Sequence, residues 1–173
     1  MKKYLIAMAA LLLTSASLFA AKPLKVVDGS LAVLKESAKA TWKIDLSKAV
    51  FEKDGDFKAW CGEDYNDRVK IMNDTFFESF NKYSKGGLTL VKSGSAPYKI
   101  VLTLNKFERK QGPGMFGNCF IKAYGDLKVV NAKTGAVVLK IDVDGQPGNS
   151  DFVETERFGK TMDWLCMGLF KLK

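Results

Sequence analysis

Two stretches of the chain space their apolar residues three or four apart. From Tyr65 the series Tyr65, Val69, Met72, Phe76, Phe80 and Tyr83 lays one stripe along a helix. Asp64 stands before it as an N-cap, and Asp67 falls in its first turn. Lys82 and Lys85 precede Gly86-Gly87 at its exit. These charges suit the helix dipole, and the glycines can take the left-handed closing conformation. A second helix is predicted over 154–170 on Phe158, Met162, Leu165, Cys166 and Leu169. Asp151 followed by Glu154 resembles a capping-box start.

Elsewhere the period is two. "TWKIDL" puts Trp42, Ile44 and Leu46 on one face, and "PYKIVLTLNKF" does the same for Tyr98, Ile100, Leu102 and Leu104. "CFIKAYGDLKVV" sets Ile121, Ala123, Leu127 and Val129 against Lys122, Tyr124, Asp126 and Lys128. In "AVVLKIDVD", Val137, Leu139, Ile141 and Val143 face inward. "NAKTG" between the last two runs reads as a tight hairpin with Gly135 left-handed. "LTLV" at 88–91 is a further short strand, and "LAVLKESAK" fits either a helical turn or a strand. One-faced alternation implies a sheet with one side covered and one side wet. The expected fold is α+β: a two-layer sandwich of about five mostly antiparallel strands with both amphipathic helices on one face.

"GPGMFG" at 112–117 has the G-x-G-x-x-G spacing of a dinucleotide site. Such a site needs a helix behind the glycines to supply amide donors. Here a period-two run follows, and Pro113 removes one donor. The stretch reads as a hairpin loop.

The first residues change the setting. Met1-Lys2-Lys3 leads into an apolar run at 5–13 and then small residues, the pattern of a secretory signal. The expectation is a leader over 1–20, cut after Ala20 or Ala21, and one domain over 21–173, periplasmic or extracellular. The run is too short to span a bilayer, and no later one is longer. The chain has a net charge of +8, but only Arg68, Arg109 and Arg157 are arginines. Lysine without arginine suits a solvated surface better than phosphate recognition, so nucleic acid is not an expected partner. Of Cys61, Cys119 and Cys166, the last sits among apolar helix positions. Export permits one disulfide, and Cys61 with Cys119, beside loops, is the favoured pair; no disulfide is the alternative.

The chain has no histidine. That removes the commonest general base and metal ligand, and every Ser-His or Cys-His pair. Ser93 or Ser95 with Lys92 or Lys99 falls in a turn-like composition. Asp54, Asp56, Glu63, Asp64 and Asp67 read as turn and capping residues. "DVDGQPGNSD" fails the EF-hand pattern at Pro147 and Val153 and reads as a loop. No catalytic group, metal or cofactor is expected. What remains is the wet sheet face, where Phe120, Lys122, Tyr124, Lys128, Val130 and Lys140 share one side and could contact an acidic partner or a sugar. Trp60 is a further aromatic, with core packing its expected role.

The segments "DGSLAVLK", "ATWKIDLSKAVF", "FNKYSKGG", "GDLKVVNAKTGAVVLKIDVDG" and "ERFGKTMDWLCMGLFKLK" resemble a family of uncharacterised exported proteins of Gram-negative anaerobes. The layout is more distantly similar to envelope accessory domains, such as those of the curli-secretion lipoprotein and the penicillin-binding-protein activator. That resemblance implies a non-catalytic partner of another envelope protein. An anionic glycan is the alternative ligand. The chain lacks the lipid-anchoring cysteine of those domains, and no functional residue carries over.

Overall fold

A computed structural model describes residues 22–53, 55–111, 119–149 and 154–173. The expected leader, the "GPGMFG" stretch and Asp151 lie outside these residues. The strands are β1 (Leu24–Gly29), β2 (Lys39–Asp45), β3 (Val50–Phe51), β4 (Gly55–Asp56), β5 (Thr89–Leu90), β6 (Tyr98–Gln111), β7 (Cys119–Asn131) and β8 (Val137–Asn149). The helices are α1 (Phe57–Cys61), α2 (Tyr65–Ser84) and α3 (Glu154–Leu169), and Leu31–Lys35 forms a 3-10 turn.

The fold is α+β, but the sheet differs from the expected one of about five strands. Eight strands form one mixed sheet in the order β1-β8-β7-β6-β2-β5, with β3 attached to β6 and β4 to β3. β6, β7, β8 and β1 pair antiparallel. β2 and β3 pair with β6 in parallel, and β5 runs parallel to β2. The parallel pairing follows from α2, which carries the chain across between β2 and β6 and returns it in the same direction. β3 and β4 have two residues each, too short to show a period. β1 escapes the alternation rule because its register shifts between Val26 and Asp28, leaving Val27 half exposed.

Most expected inward strand residues face the core, with Trp42, Ile44, Leu46 and Tyr98 only half-buried against it, Leu46 just past the end of β2, and one residue turned outward. Ile100, Leu102 and Leu104, then Ile121, Ala123, Leu127 and Val129, then Leu139, Ile141 and Val143 are buried in one core with the apolar stripes of α2 and α3. Each fully buried Leu, Ile or Phe contributes about 1.5–3 kcal/mol over leaving it in water. Val137, expected inward, is exposed, because the β7–β8 register shifts between Val129 and Val130. The "NAKTG" turn closes as expected, with Gly135 at φ 75° and the Asn131 side chain accepting from the amides of Lys133 and Thr134.

The helix ends hold two surprises. Asp64 makes no capping bond; its carboxylate instead accepts from the Arg68 guanidinium at 3.1 Å. A 3-10 turn over Gly62–Asp64 runs straight into α2 and replaces the cap. At the far end Lys85, rather than a glycine, enters the left-handed region first, at φ 49°, and Gly86 follows at 88°. Ser79 Oγ and Tyr83 OH of α2 both donate to Asp163 Oδ1 of α3, which fastens the helices together.

The three long strands share a bend. Leu104 pairs with Gly125 and Lys106 with Tyr124, so Asn105 is an extra residue on β6. Across β7, Ala123 pairs with Gln146 and Gly125 with Val143, leaving Asp144 and Gly145 opposite Tyr124. Such bulges bend and twist a sheet. At Gly125 a methyl group would collide with the Thr103 carbonyl oxygen, so no side chain fits there. Gly125→Ala is expected to lower stability by more than about 2 kcal/mol, as buried backbone clashes do. Urea denaturation followed by tryptophan fluorescence checks this; an unchanged midpoint contradicts the bend's tight packing.

Candidate functional site

The five surface residues singled out from the sequence, Phe120, Lys122, Tyr124, Lys128 and Lys140, are each half-buried, on strand positions that alternate with the buried ones. The bend divides them. Phe120, Lys122 and Tyr124 lie on the far side of Gly125, whereas Lys128 and Lys140 lie on the near side, directly opposite each other in the β7–β8 register. From Phe120 to Lys128 the strand runs about 26 Å at ~3.3 Å per residue.

Beyond the bend the surface is organised around Glu108 of β6. Lys106 Nζ lies 2.6 Å from its Oε1, and Lys110 Nζ lies 3.4 Å from its Oε2. Tyr124 OH donates to the same Oε2 at 2.8 Å. Lys122 is paired opposite Glu108, and Phe120 opposite Lys110. Lys106 Nζ also sits 5.2 Å from the centre of the Tyr124 ring. One carboxylate therefore meets two ammonium groups and a phenol, with a third lysine at the paired position of the next strand. The hydrogen bond from Lys106, then that from Tyr124, holds the Glu108 carboxyl down at about 2. Burial, then the bond to Glu108, pushes the Tyr124 phenol up to about 12. The cationic surplus continues into a depression of about 520 Å³ bordered by Glu52, Lys53, Arg109 and Lys110.

Before the bend the charges are ordered differently. Lys43, Val101, Lys128 and Lys140 form one row across β2, β6, β7 and β8. Asp45, Thr103, Asp126 and Asp142 form the next row. At the edge strand the signs reverse, with Asp28 opposite Lys140 and Lys25 opposite Asp142. Lys43 and Asp45 pair at 3.3 Å, and Lys128 and Asp126 approach to 3.5 Å. The Ser47 amide, hydrogen-bonded to Asp45, together with Lys43 brings that carboxyl down to about 2.

Behind the bend lies a cluster the sequence did not reveal. Phe51 stacks on Trp60 at 3.6 Å, and the Arg68 guanidinium lies 4.5 Å from the Trp60 ring and 5.7 Å from Phe158. Arg68 pairs with Asp64 and, at 3.7 Å, with Glu154, to which Arg109 also donates. Two of the three arginines are thus ties inside the molecule, joining α1, α2, α3 and β6. Arg68 is 7% exposed, a cation on the stripe of α2 that hydropathy alone would not place there. Trp60 packs as expected. Its ring contacts with Phe51, Phe57 and Phe158 are each worth about 0.5–1.5 kcal/mol beyond area burial.

The other candidates are structural. Asp56 caps α1 by accepting from the Ala59 amide at 2.8 Å. Ser93 and Ser95 are exposed in the turn before β6, and Asp54 lies outside the described residues. Residues 142–149, expected to be a loop, continue β8. β1 ends opposite Val143, so Pro147 has a ladder partner on one side only, where its missing N–H is tolerated. The run after "GPGMFG" is strand β7, not a helix. Among the described residues no cluster of acids and cysteines could hold a metal, and no helix is long and apolar enough to cross a membrane. Cys61 is buried with its thiol free, and burial pushes that thiol up; the side chain of Cys119 lies outside the described residues. Cys166 is wholly buried, 3.7 Å from the Phe76 carbonyl oxygen.

No protein-family model matches the chain. No curated protein matches it either. Among solved structures, the PelC dodecamer from Paraburkholderia phytofirmans is 8% identical, covering 87% of this chain and 97% of that one at a TM-score of 0.46. A neuraminyllactose-binding hemagglutinin homolog from Helicobacter pylori is 11% identical, covering 79% and 86% at a TM-score of 0.46. These are distant similarities of chain course.

Glu108 and Tyr124 set two pH edges, the first chiefly through the Lys106 bond and the second chiefly through burial, with their mutual bond adding to both. Glu108 has its folded value below the ordinary one, so its contribution is complete above about pH 4.5 and is lost as pH falls toward 2. Tyr124 has its folded value above the ordinary 10, so its contribution holds below pH 10 and is lost as pH rises toward 12. Tyr124→Phe is expected to lower stability between these edges and to remove the alkaline one. Urea midpoints measured across pH check both; an alkaline limb unchanged in the variant would contradict the assignment.

Proposed function

We propose that the chain is an exported, non-enzymatic binding protein of the cell envelope, processed after Ala20 or Ala21, that holds an acidic segment of another envelope protein. The observation that carries this reading is the excess of positive charge around one carboxylate, with Lys106 and Lys110 paired to Glu108 and Lys122 on the strand position opposite it. One Glu cannot neutralise the lysines of this surface, so an incoming carboxylate gains from charges already held in place. Side chains on paired strands lose little freedom on binding, which lowers the cost of association. The resemblance to exported accessory domains points the same way. An anionic glycan is the second reading, favoured by Phe120 and Tyr124 alternating with Lys122 along one strand.

Polyglutamate and heparin columns separate the two. The mature chain is expected to bind polyglutamate in a salt-dependent manner, and the triple variant K106A/K110A/K122A to bind at least tenfold more weakly, about 1.4 kcal/mol. A control triple on the helices, K58A/K82A/K160A, removes the same charge and is expected to retain most of the binding. Equal losses in the two triples would reduce the effect to net charge and overturn the site. Preferential loss on heparin alone would favour the glycan.

A further inference from the structure

We propose that the near half of the outer sheet face is a self-association surface, on which a second copy of this chain docks with its lysine row on the first copy's aspartate row. The inference goes beyond the preceding reading and uses a different part of the face.

The observation is the segregation of charge by row. Lys128 stands opposite Lys140, and Asp126 opposite Asp142. Like charges directly opposite each other across an antiparallel pair are destabilising. An alternating pattern would have placed Lys opposite Asp at both positions with the same composition. Lys43 and Asp45 extend both rows onto β2 with the signs unchanged, through the uncharged Val101 and Thr103. Opposite charges face each other across strands only at the edge, Asp28 by Lys140 and Lys25 by Asp142; elsewhere in the rows attraction comes from neighbours two residues along each strand, of which Lys43–Asp45 and Lys128–Asp126 are close enough to pair. Asp126 Oδ1 is buried with Lys128 Nζ 3.5 Å away, so the outer oxygen of that carboxylate is the one left for a partner.

Two adjacent rows of opposite sign are self-complementary. A two-fold axis lying between them and parallel to them turns the face over and exchanges the rows, so every lysine meets an aspartate of the other copy. This is the isologous geometry of ordinary dimers, in which one patch serves both subunits. Sheets packed face to face stand ~10 Å apart, and a long lysine opposite a short aspartate fills that gap more evenly than two of either. At β1 the signs reverse, and the same axis sets Asp28 against the other copy's Lys25, so the edge strand is complementary as well. The bend at Gly125 carries the Glu108 group away from these rows, which leaves it free for the acidic partner.

Sedimentation equilibrium of the mature chain tests the proposal. In about 10 mM salt a dimer is expected, and in about 1 M salt, where charges are screened beyond ~3 Å, a monomer. K128E/K140E makes both rows acidic and is expected to be monomeric at low salt; D126K/D142K makes both basic and is expected to behave likewise. Mixed in equal amounts, the two variants are expected to form a heterodimer at a protein concentration where neither associates alone. A wild-type chain that stays monomeric at low salt overturns the proposal. So does a dimer that survives in K128E/K140E, or a mixture that stays monomeric although circular dichroism shows both variants folded. Should D126K/D142K not fold, the salt series and K128E/K140E decide. Polyglutamate binding by K128E/K140E separates this result from the Glu108 site, because loss of the dimer leaves that site's lysines in place.

Discussion

At Gly125 the Thr103 carbonyl oxygen occupies the space a side chain would need, and the rest of the molecule is arranged around that close approach. It exists because β6 and β8 each carry extra residues at the same level, Asn105 on one side and Asp144–Gly145 on the other. Strands of 13 and 14 residues cannot stay flat over one pair of helices. The bulges let the far half turn. Its inner surface then meets α1 and the start of α3, where Phe57 contacts Phe107 at 4.6 Å and Phe158 at 5.5 Å.

The bend also accounts for the two characters of the outer face. On one side the strands stay in register with β2 and β1, and the charges form rows. On the other side β6 has lost β2 as a neighbour and gained the short β3. There Lys106, Glu108 and Lys110 occupy alternate positions of a single strand, and Tyr124 reaches across to the one carboxylate among them. A phenol donating to a carboxylate flanked by ammonium groups keeps the acid ionised and the phenol protonated over a wide pH range. A chain without histidine has no side chain whose ordinary titration falls between about pH 5 and 8.

Arg68 is used inward, and Arg109 reaches the same cluster from its exposed rim. Arg68 lies between Trp60 and Phe158 with its charge met by Asp64 and Glu154, and Arg109 meets the same Glu154 from β6. The planar, weakly hydrated guanidinium suits such a place between rings, whereas an ammonium does not. The lysines remain on the surface, where their positive charge is available to partners.

Local pattern was enough for the elements that bury one face. The stripes of α2 and α3 and the alternation of β6, β7 and β8 are set by the need to hide apolar side chains at periods of 3.6 and 2, and those residues are buried or half-buried against the core apart from Val137. The placement of Phe120, Lys122, Tyr124, Lys128 and Lys140 on the opposite face follows from the same rule. Short elements have no period to read, so β1, β3, β4 and α1 were invisible, and Gly145 with Pro147 hid the end of β8. Which residues stand side by side depends on pairing partner and register, and no local signal encodes those. The rows of like charge, the reach of Tyr124 to Glu108 and the burial of Arg68 between two rings arise only when distant segments are brought together, because a charge's neighbours across strands lie well away along the chain.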